Sequence, residues 1–320
     1  MKKLFALFLA ASVSLIAHAR PVPSELVGKN ITLVVPYGAG GNSDVTARQL
    51  AKTVEKITGL TIVVANKAGA SGNIGALALA QAEPNGLTLG QLETGASMFN
   101  AITGMPNAVT RDQLMPVSAS IESSLAVVVN ADIPVNTVPE FMTWLRNQPK
   151  PNFSSTGSFQ SMLTLSVLDA GKATNVQAIN YKSMAECLRA VAAGETAFVM
   201  SSVGDAQALL DGKRVKVLAV GSRNRNPDLP QTPTLNEIYS GTLITNYNGI
   251  FAPKGTPAHL VEYFNWAWGQ ALVDAETRAI LVRRDNVPLG GSVERARQIY
   301  DSYYDARTQL LKKYRYLATN

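Results

Sequence analysis

Thiol and imidazole side chains are scarce in this chain of 320 residues, which contains one cysteine and two histidines. A single cysteine, Cys187, excludes a disulfide bond within the chain. A zinc site built from Cys and His needs about three or four such ligands, and a Ser-His-Asp triad would depend entirely on His259, the one histidine outside residues 1–19. Helical spacing predicts a buried, inert thiol at Cys187. His259 lies at a predicted helix start, where we expect a surface or capping role.

Long apolar runs and blocks of like charge are also absent. The longest apolar run, from Leu4 to Ala17, spans 14 residues, fewer than the roughly 18 expected of a membrane span. Lys2 and Lys3 precede it and Ala17-His18-Ala19 follows it, an order typical of a secretory signal peptide over residues 1–19. We therefore expect an exported protein, located in the periplasm, whose membrane role requires a partner.

Cleavage after Ala19 leaves 27 basic and 23 acidic side chains, because the leader contains only two charged residues, Lys2 and Lys3. The resulting net charge of +4 is spread along the chain without a basic run. This pattern gives no support for nucleic-acid binding. It is compatible with a weak preference for small anionic molecules.

The chain alternates short apolar strands with amphipathic helices, which predicts an α/β protein with mostly parallel sheets. A strand from Ile31 to Val35 leads to a helix from about Asp44 to Thr58, which Gly59 ends. A strand from Thr61 to Ala65 follows. The intervening helix must therefore cross over the sheet.

The glycine turn 38–41 joins the first strand to the first helix. Free N–H groups at a helix N-terminus, together with the helix dipole, favour an anion at such a junction. We expect Asn42, Ser43 and Asp44 to supply capping oxygens there. The turn lacks the third glycine of the dinucleotide fingerprint, and no Gly-Lys-Ser/Thr follows it. The sequence therefore predicts anion binding without a nucleotide or other cofactor, and no metal site.

A second glycine turn, at residues 66–75, lies between the next strand and its helix. Ligands of open α/β sheets bind beyond the carboxyl ends of the strands, so both turns are predicted to line one cleft. Later strand ends are rich in hydroxyl groups. The candidate ligand-binding residues at these ends are Ser71, Gly72, Asn73, Thr94, Ser155, Thr156, Gly157, Ser158, Tyr181, Lys182, Ser201, Ser202 and Asp205.

These motifs resemble a known family, the periplasmic solute-binding proteins of tripartite tricarboxylate transporters, often called the Bug or TctC-like family. The segment Val34-Val-Pro-Tyr-Gly-Ala-Gly-Gly-Asn-Ser-Asp-Val-Thr-Ala-Arg48 is similar to the opening motif of that family. The turn Asn66-Lys-Ala-Gly-Ala-Ser-Gly-Asn-Ile-Gly75 is similar to its second motif. Further matches at Ser155–Ser158 and Phe251–Pro257 extend the resemblance over essentially all of the chain after the leader.

The resemblance implies a periplasmic-binding-protein-like fold, in which two α/β lobes joined by crossing strands enclose a ligand cleft. We place the first lobe at 20–124 plus 248–320 and the second at 125–247. The implied function is capture of a small carboxylate (a di- or tricarboxylate, an acidic amino acid or an aromatic acid) for uptake by a membrane transporter. The implied protein is a monomer that closes by a hinge motion, without chemistry.

In that family, backbone and hydroxyl groups of the two first-lobe turns hold one carboxylate of the ligand, and second-lobe loops set specificity. The positions that match are Gly41, Asn42, Ser43, Ser71, Gly72, Asn73, Thr156, Gly157, Tyr181 and Lys182. With Tyr37, Asp44 and the other strand-end residues, they form the candidate site.

The second lobe departs from the family pattern. Ser183-Met-Ala-Glu186 replaces the usual glycines and proline, and Gly194-Glu-Thr-Ala197 replaces Gly-x-Val-Asp. The sequence therefore does not identify the ligand. Lys182 could pair with a second carboxylate of the ligand or remain solvated. Two alternatives to transport stand beside it: a ligand sensor for a signalling partner, and a secreted hydrolase with Ser155 or Ser201 as nucleophile and Lys182 as base.

Overall fold

The structure, a computed structural model, describes residues 20–314. The predicted signal peptide at 1–19 lies outside the described residues. In chain order the strands are β1 (Asn30–Val35), β2 (Thr61–Asn66), β3 (Thr88–Glu93), β4 (Leu114–Ser124), β5 (Ala126–Asn130), β6 (Asn152–Ser155), β7 (Gln177–Asn180), β8 (Phe198–Ser201), β9 (Val215–Ala219), β10 (Thr245–Pro253) and β11 (Asn286–Pro288).

Helices connect most of these strands and cover the faces of the sheets. They are α1 (Asn42–Thr58), α2 (Asn73–Ala80), α3 (Asn100–Ile102), α4 (Val138–Arg146), α5 (Ser158–Ala170), α6 (Met184–Ala192), α7 (Val203–Asp211), α8 (Leu235–Ile238), α9 (Ala258–Val273), α10 (Ala275–Arg283) and α11 (Val293–Tyr314). Within the described part of the chain, no helix combines the length and the apolar character that crossing a membrane requires.

The strands form two mixed sheets. The first has the order β11-β4-β10-β3-β1-β2 and the second has the order β7-β6-β8-β5-β9. Strand β1 is parallel to β2 and β3, and β6 is parallel to β7 and β8. Strands β10 and β5 are antiparallel to their neighbours. The prediction of mostly parallel sheets was therefore wrong, because segments that pass between the sheets pair in the opposite direction.

The crossing segments join the two sheets into one molecule. The chain leaves the first sheet at the end of β4, enters the second with β5, and returns through β10. At the crossing, the N–H of Leu125 donates to the carbonyl of Ile244 at 2.9 Å, so the outgoing and returning segments are hydrogen-bonded to each other. We call the sheet that contains β1 and its helices the first lobe, and the sheet that contains β5 and its helices the second lobe.

The first strand–helix unit folds as the sequence predicts. Leu50 and Val54 are fully buried on the inner face of α1, which packs against the first sheet. Gly59 ends the helix with a φ of 73°, and its N–H donates to the carbonyl of Glu55 at 2.8 Å. A left-handed residue at this position is a common helix terminator.

The structure confirms the expected roles of Cys187 and His259. The Cys187 thiol is fully buried in α6, and burial raises its pKa to about 11, which keeps it protonated and unreactive. His259 lies in the first turn of α9, where its Nε2 is 2.9 Å from a carboxylate oxygen of Glu25 on the surface.

Helix α11 packs against both lobes. Ala296 and Tyr300 lie in a hydrophobic cluster of the first lobe, whereas Tyr314 lies in the core of the second. The Tyr314 hydroxyl donates to Oδ2 of Asp169 on α5 at 2.8 Å. The helix reaches both lobes because its 22 residues, at about 1.5 Å each, extend beyond one lobe.

Candidate functional site

The N-terminus of α1 is capped from the second lobe. The helix begins at Asn42 after Gly41, and no side chain of its own first turn caps it. The N–H of Asn42 instead donates to Oδ1 of Asp205, at 3.0 Å. The prediction that Asn42, Ser43 and Asp44 supply the capping oxygens was therefore wrong. The oxygen comes from a residue that is distant in sequence and reaches the helix only in the folded protein.

Asp205 is held in place by the first turn of α7. The Ser202 hydroxyl donates to Oδ2 of Asp205 at 2.8 Å, and the Asp205 N–H donates to the same hydroxyl oxygen at 3.1 Å. Burial raises the pKa of Asp205, while hydrogen bonds from Ser202 and Asn42 and the charge of Arg284 oppose this rise. The carboxylate therefore has donors from both lobes.

Arg284 is fixed by hydrogen bonds within the first lobe and lies against helix α7 of the second lobe. Its Nε donates to Oδ1 of Asn42 at 3.1 Å, and the Asn42 amide donates to Oδ1 of Asn286 at 3.1 Å. A Cβ on Gly204, the residue before Asp205, would lie 3.0 Å from the Arg284 guanidinium carbon. The absence of a side chain at Gly204 thus lets α7 approach Arg284 closely. Nothing in the sequence pattern pointed to Arg284 or Asn286.

Asp44 stabilises the glycine turn. Its carboxylate accepts hydrogen bonds from the Gly40 N–H at 2.9 Å, from Asn66 at 2.9 Å and from Arg48 at 3.1 Å. Burial acts to raise the pKa of Asp44, but these three donors bring the pKa below its usual value. The contacts of Asp44 fix the path of the turn before α1.

The second glycine turn meets the first beside Tyr37. Gly72 has a φ of +86°, and a Cβ there would lie 2.7 Å from the Cβ of Ala96 and 3.2 Å from the Tyr37 hydroxyl. From the second lobe, Gly157 approaches the same turn, because its Cβ would lie 3.5 Å from Oγ of Ser71. The structure thus brings the two first-lobe turns together and places a glycine turn of the second lobe opposite them.

Several predicted site residues have structural partners within their own lobe. Asn73 donates to the carbonyl of Asn107 at 3.0 Å, and the Thr94 hydroxyl accepts the N–H of Tyr247 at 3.0 Å. Both side chains are buried. Ser43 is buried as well, and its carbonyl accepts a hydrogen bond from the Gln91 amide at 3.2 Å.

The hydroxyl-rich strand ends of the second lobe are only partly open. Thr156 and Ser158 are exposed beside Gly157, and Thr156 donates to Oε1 of Gln160 through its N–H and its hydroxyl. Tyr181 is half-buried. Burial and the nearby Glu195 carboxylate raise the pKa of its hydroxyl.

The geometry gives no support to the hydrolase alternative. Ser155 and Ser201 are fully buried. Ser155 bonds to the carbonyl of Gly157 and to Ser161, and Ser201 donates to the carbonyl of Ser202. Lys182 is exposed and neither serine is bonded to it. Neither hydroxyl has the base or the access that nucleophilic catalysis requires.

Glu93 is a residue of the cleft that the sequence analysis did not select. It ends β3 and is half-buried, and its Oε2 accepts a hydrogen bond from Nδ2 of Asn246 at 2.6 Å. Burial raises the pKa of Glu93 to about 7; the Asn246 hydrogen bond opposes this rise and the charge of Asp205 adds to it. Its position at the end of a strand, like that of the other candidate residues, was the sequence feature that could have identified Glu93.

Other features of the surface do not form part of this cleft. Within residues 20–314, no three His, Cys, Asp or Glu side chains are close enough together to hold a metal ion. Two surface cavities, of about 620 and 690 Å³, lie near Tyr304 and near Trp144. None of the predicted site residues lines either cavity.

Two α/β lobes that meet through polar turns at their facing strand ends define the periplasmic-binding-protein class. Solved structures with the same fold include the periplasmic binding protein BugD (TM-score 0.79, 23% identity, covering 89% of this chain and 97% of that one). Another is an R. palustris protein with adipate (TM-score 0.83, 24% identity, 89% and 97% covered).

Residues 46–314 match the family described as the tripartite tricarboxylate transporter family receptor. A protein from the tcbD-tcbE intergenic region of Pseudomonas sp. strain P51 is 30% identical over 291 residues, which cover 89% of this chain and 86% of the relative. The chain belongs to the tripartite tricarboxylate transporter receptor family, as its turn motifs had indicated.

Proposed function

We propose that the protein captures a small carboxylate between its two lobes and delivers it to the membrane subunits of a tripartite transporter. The observation that carries this proposal is the meeting of three turns: the Tyr37 and Ser71–Gly72 turns of the first lobe, and the Gly157 turn of the second. Backbone N–H and hydroxyl groups at such turns are the donors that suit a carboxylate. The adipate in the related R. palustris structure is a ligand of this chemical class.

The ligand contacts in this proposal come from residues with accessible groups around the meeting point. Ser71 and Thr156 are exposed, and Tyr37 and Gly157 are partly exposed. In this proposal the hydrogen bond between Asn42 and Asp205 forms when the lobes close and stabilises the closed form. Binding involves no covalent step in this proposal, and no cofactor takes part.

Delivery to a membrane partner fits the rest of the chain. We propose export through the predicted signal peptide at 1–19, action as a monomer, and recognition of the closed form by the transporter. A sensor role would share the binding step. The family match to a transporter receptor favours transport over sensing.

Thermal unfolding of the chain without residues 1–19, stripped of co-purified ligand, tests carboxylate capture. The panel contains mono-, di- and tricarboxylates, amino acids and aromatic acids, with the corresponding amides as controls without a carboxylate. A ligand at about 100 times its dissociation constant adds about 2.7 kcal/mol to the free energy of unfolding, a rise of several degrees in Tm. Equal shifts by acids and amides, or no shift by any acid, would contradict the proposal.

A further inference from the structure

The carboxyl end of β3 carries an unusual group of polar side chains on one face of the first sheet. Gln91 and Glu93 point to the same face because side chains alternate along a strand. Asn248 of β10 lies opposite Glu93 in the antiparallel register, and Asn246 bonds to the Glu93 carboxylate. These four residues, which we call the β3–β10 polar face, lie beneath the first turn of α1, where Gln91 bonds to the Ser43 carbonyl.

Three amide oxygens of the β3–β10 polar face have no hydrogen-bond partner among residues 20–314. They are Oε1 of Gln91, Oδ1 of Asn246 and Oδ1 of Asn248, and all three residues are more than nine-tenths buried. Buried polar atoms are nearly always bonded. Three unpaired oxygens on the same face of the sheet are therefore acceptors available to a hydrogen-bond donor.

For Gln91 and Asn246, the assignment of the unpaired atom as the amide oxygen follows from the neighbours. The Ser43 carbonyl can only accept, so the Gln91 atom bonded to it must be the amide nitrogen. An ionised Glu93 can also only accept, so the Asn246 atom bonded to it is a nitrogen as well. In both side chains the amide oxygen is then the unpaired atom.

Glu93 adds a negative charge without a counter-ion. It takes part in none of the ion pairs formed among the described residues. Two titratable groups interact electrostatically with Glu93, the Asp205 carboxylate and the Tyr37 hydroxyl. The charge of Arg284 acts on Asp205. Arg284 lies beside Asp205, and Asp205 repels a charge on Glu93. A half-buried carboxylate in such surroundings favours a cation nearby.

We propose that the β3–β10 polar face recognises a protonated amino group, so that the natural ligand is a carboxylate that also carries an ammonium. This inference rests on the proposed carboxylate capture. An ammonium group has three hydrogen-bond donors and no acceptor. The Glu93 carboxylate and the unpaired amide oxygens of the β3–β10 polar face are all acceptors, so they suit such a group. A ligand with carboxylates alone would place like charges beside Glu93 and Asp205.

The test compares pairs of acids that differ only in the amino group. Isothermal titration of the stripped protein uses L-aspartate against succinate, L-glutamate against glutarate, L-alanine against propionate, and L-phenylalanine against 3-phenylpropionate. We expect the amino member of the best pair to bind about tenfold or more tightly, the scale of one hydrogen bond to a charged group. The Glu93→Gln variant is expected to lose most of this preference and Glu93→Asp to keep most of it.

Glu262→Gln is the matched control, because it removes an exposed acid from α9 of the same lobe. Circular dichroism establishes that each variant is folded. If wild-type protein binds succinate, glutarate, propionate or 3-phenylpropionate as tightly as the amino partner, the inference is overturned and carboxylate capture stands. A preference that survives in Glu93→Gln also overturns the role of Glu93. If no acid of either kind binds, the proposed function fails and the inference fails with it.

Discussion

The N–H of Asn42 in the first lobe and the carboxylate of Asp205 in the second are joined by a hydrogen bond of 3.0 Å. This bond links the N-terminus of α1 to the first turn of α7, and it exists only when the lobes are together. Its acceptor is charged, so it is stronger than a bond between neutral groups.

Replacing Asp205 with Asn should weaken closure. Asn keeps the shape of the side chain and removes its charge, a loss of about 1 kcal/mol for one charge-assisted bond. We expect affinity for the best carboxylate to fall about fivefold in calorimetry, and the radius of gyration in X-ray scattering to increase. Asp211→Asn, an exposed acid on the same helix, is the control. If Asp205→Asn has the affinity and the radius of gyration of wild type, the Asn42–Asp205 hydrogen bond does not stabilise the closed form.

Glu93 should make the protein less stable as the pH rises. Its pKa rises from 4.5 to about 7 on folding, so the folded state holds the proton more tightly than the unfolded state. This contribution is fully present below about pH 4.5 and is lost as the pH passes through 7. At pH 8 Glu93→Gln should therefore be more stable than wild type by about 1–3 kcal/mol, with a smaller difference at pH 5.

Urea unfolding of wild type and Glu93→Gln at pH 5 and pH 8 measures this difference. Glu262→Gln, which removes an exposed acid, should give the same free energy of unfolding as wild type at both values. A difference between wild type and Glu93→Gln that does not change with pH would show that Glu93 is equally ionised in both states.

Gly72→Ala should destabilise the protein and disturb the second turn. A Cβ at this position would lie 2.7 Å from the Cβ of Ala96, and the φ of +86° is unfavourable for alanine. We expect a loss of about 2 kcal/mol in urea unfolding, the scale of strain and overpacking. Gly38→Ala is the control, since no atom would lie within 4 Å of its Cβ. Equal effects of the two changes would contradict the close approach seen at Gly72.

Phe159→Ala should favour the open form. Phe159 belongs to α5 of the second lobe, and its ring centroid lies 5.0 Å from that of Phe99, in a segment that follows β3. Such aromatic pairs contribute about 0.5–1.5 kcal/mol beyond the buried area. Spin labels on the two lobes should report a longer distance in Phe159→Ala than in wild type. Leu165→Ala, elsewhere on α5, should leave that distance unchanged.

The local parts of the fold could be predicted from the sequence. The strand, glycine turn and helix from Ile31 to Gly59 are specified by residues close together in the chain. Apolar periodicity places one face of α1 in the core, and Gly59 supplies the left-handed end. The same reasoning identified the second turn at Ser71–Gly72, which the structure places beside Tyr37.

Contacts between distant segments could not be predicted in this way. Asn246 meets Glu93 because β10 inserts antiparallel beside β3, and no local pattern fixes that register. Arg284 reaches Asn42 because the end of α10 packs beside α1, again across a long separation. Asn42 was predicted to cap the helix through its side chain, whereas its backbone N–H donates a hydrogen bond to a carboxylate of the other lobe.

Helix α11 lies beside the crossing strands, with the Tyr303 hydroxyl 3.1 Å from that of Thr245 at the start of β10. Its first half is fixed to one lobe, and Tyr314 at its end is fixed to the other. If the lobes separate by the proposed hinge motion, helix α11 and the crossing strands are expected to stay in contact with both lobes and so to lie near the hinge axis. On this proposal the cleft opens at the edge opposite α11, and ligand is expected to enter there.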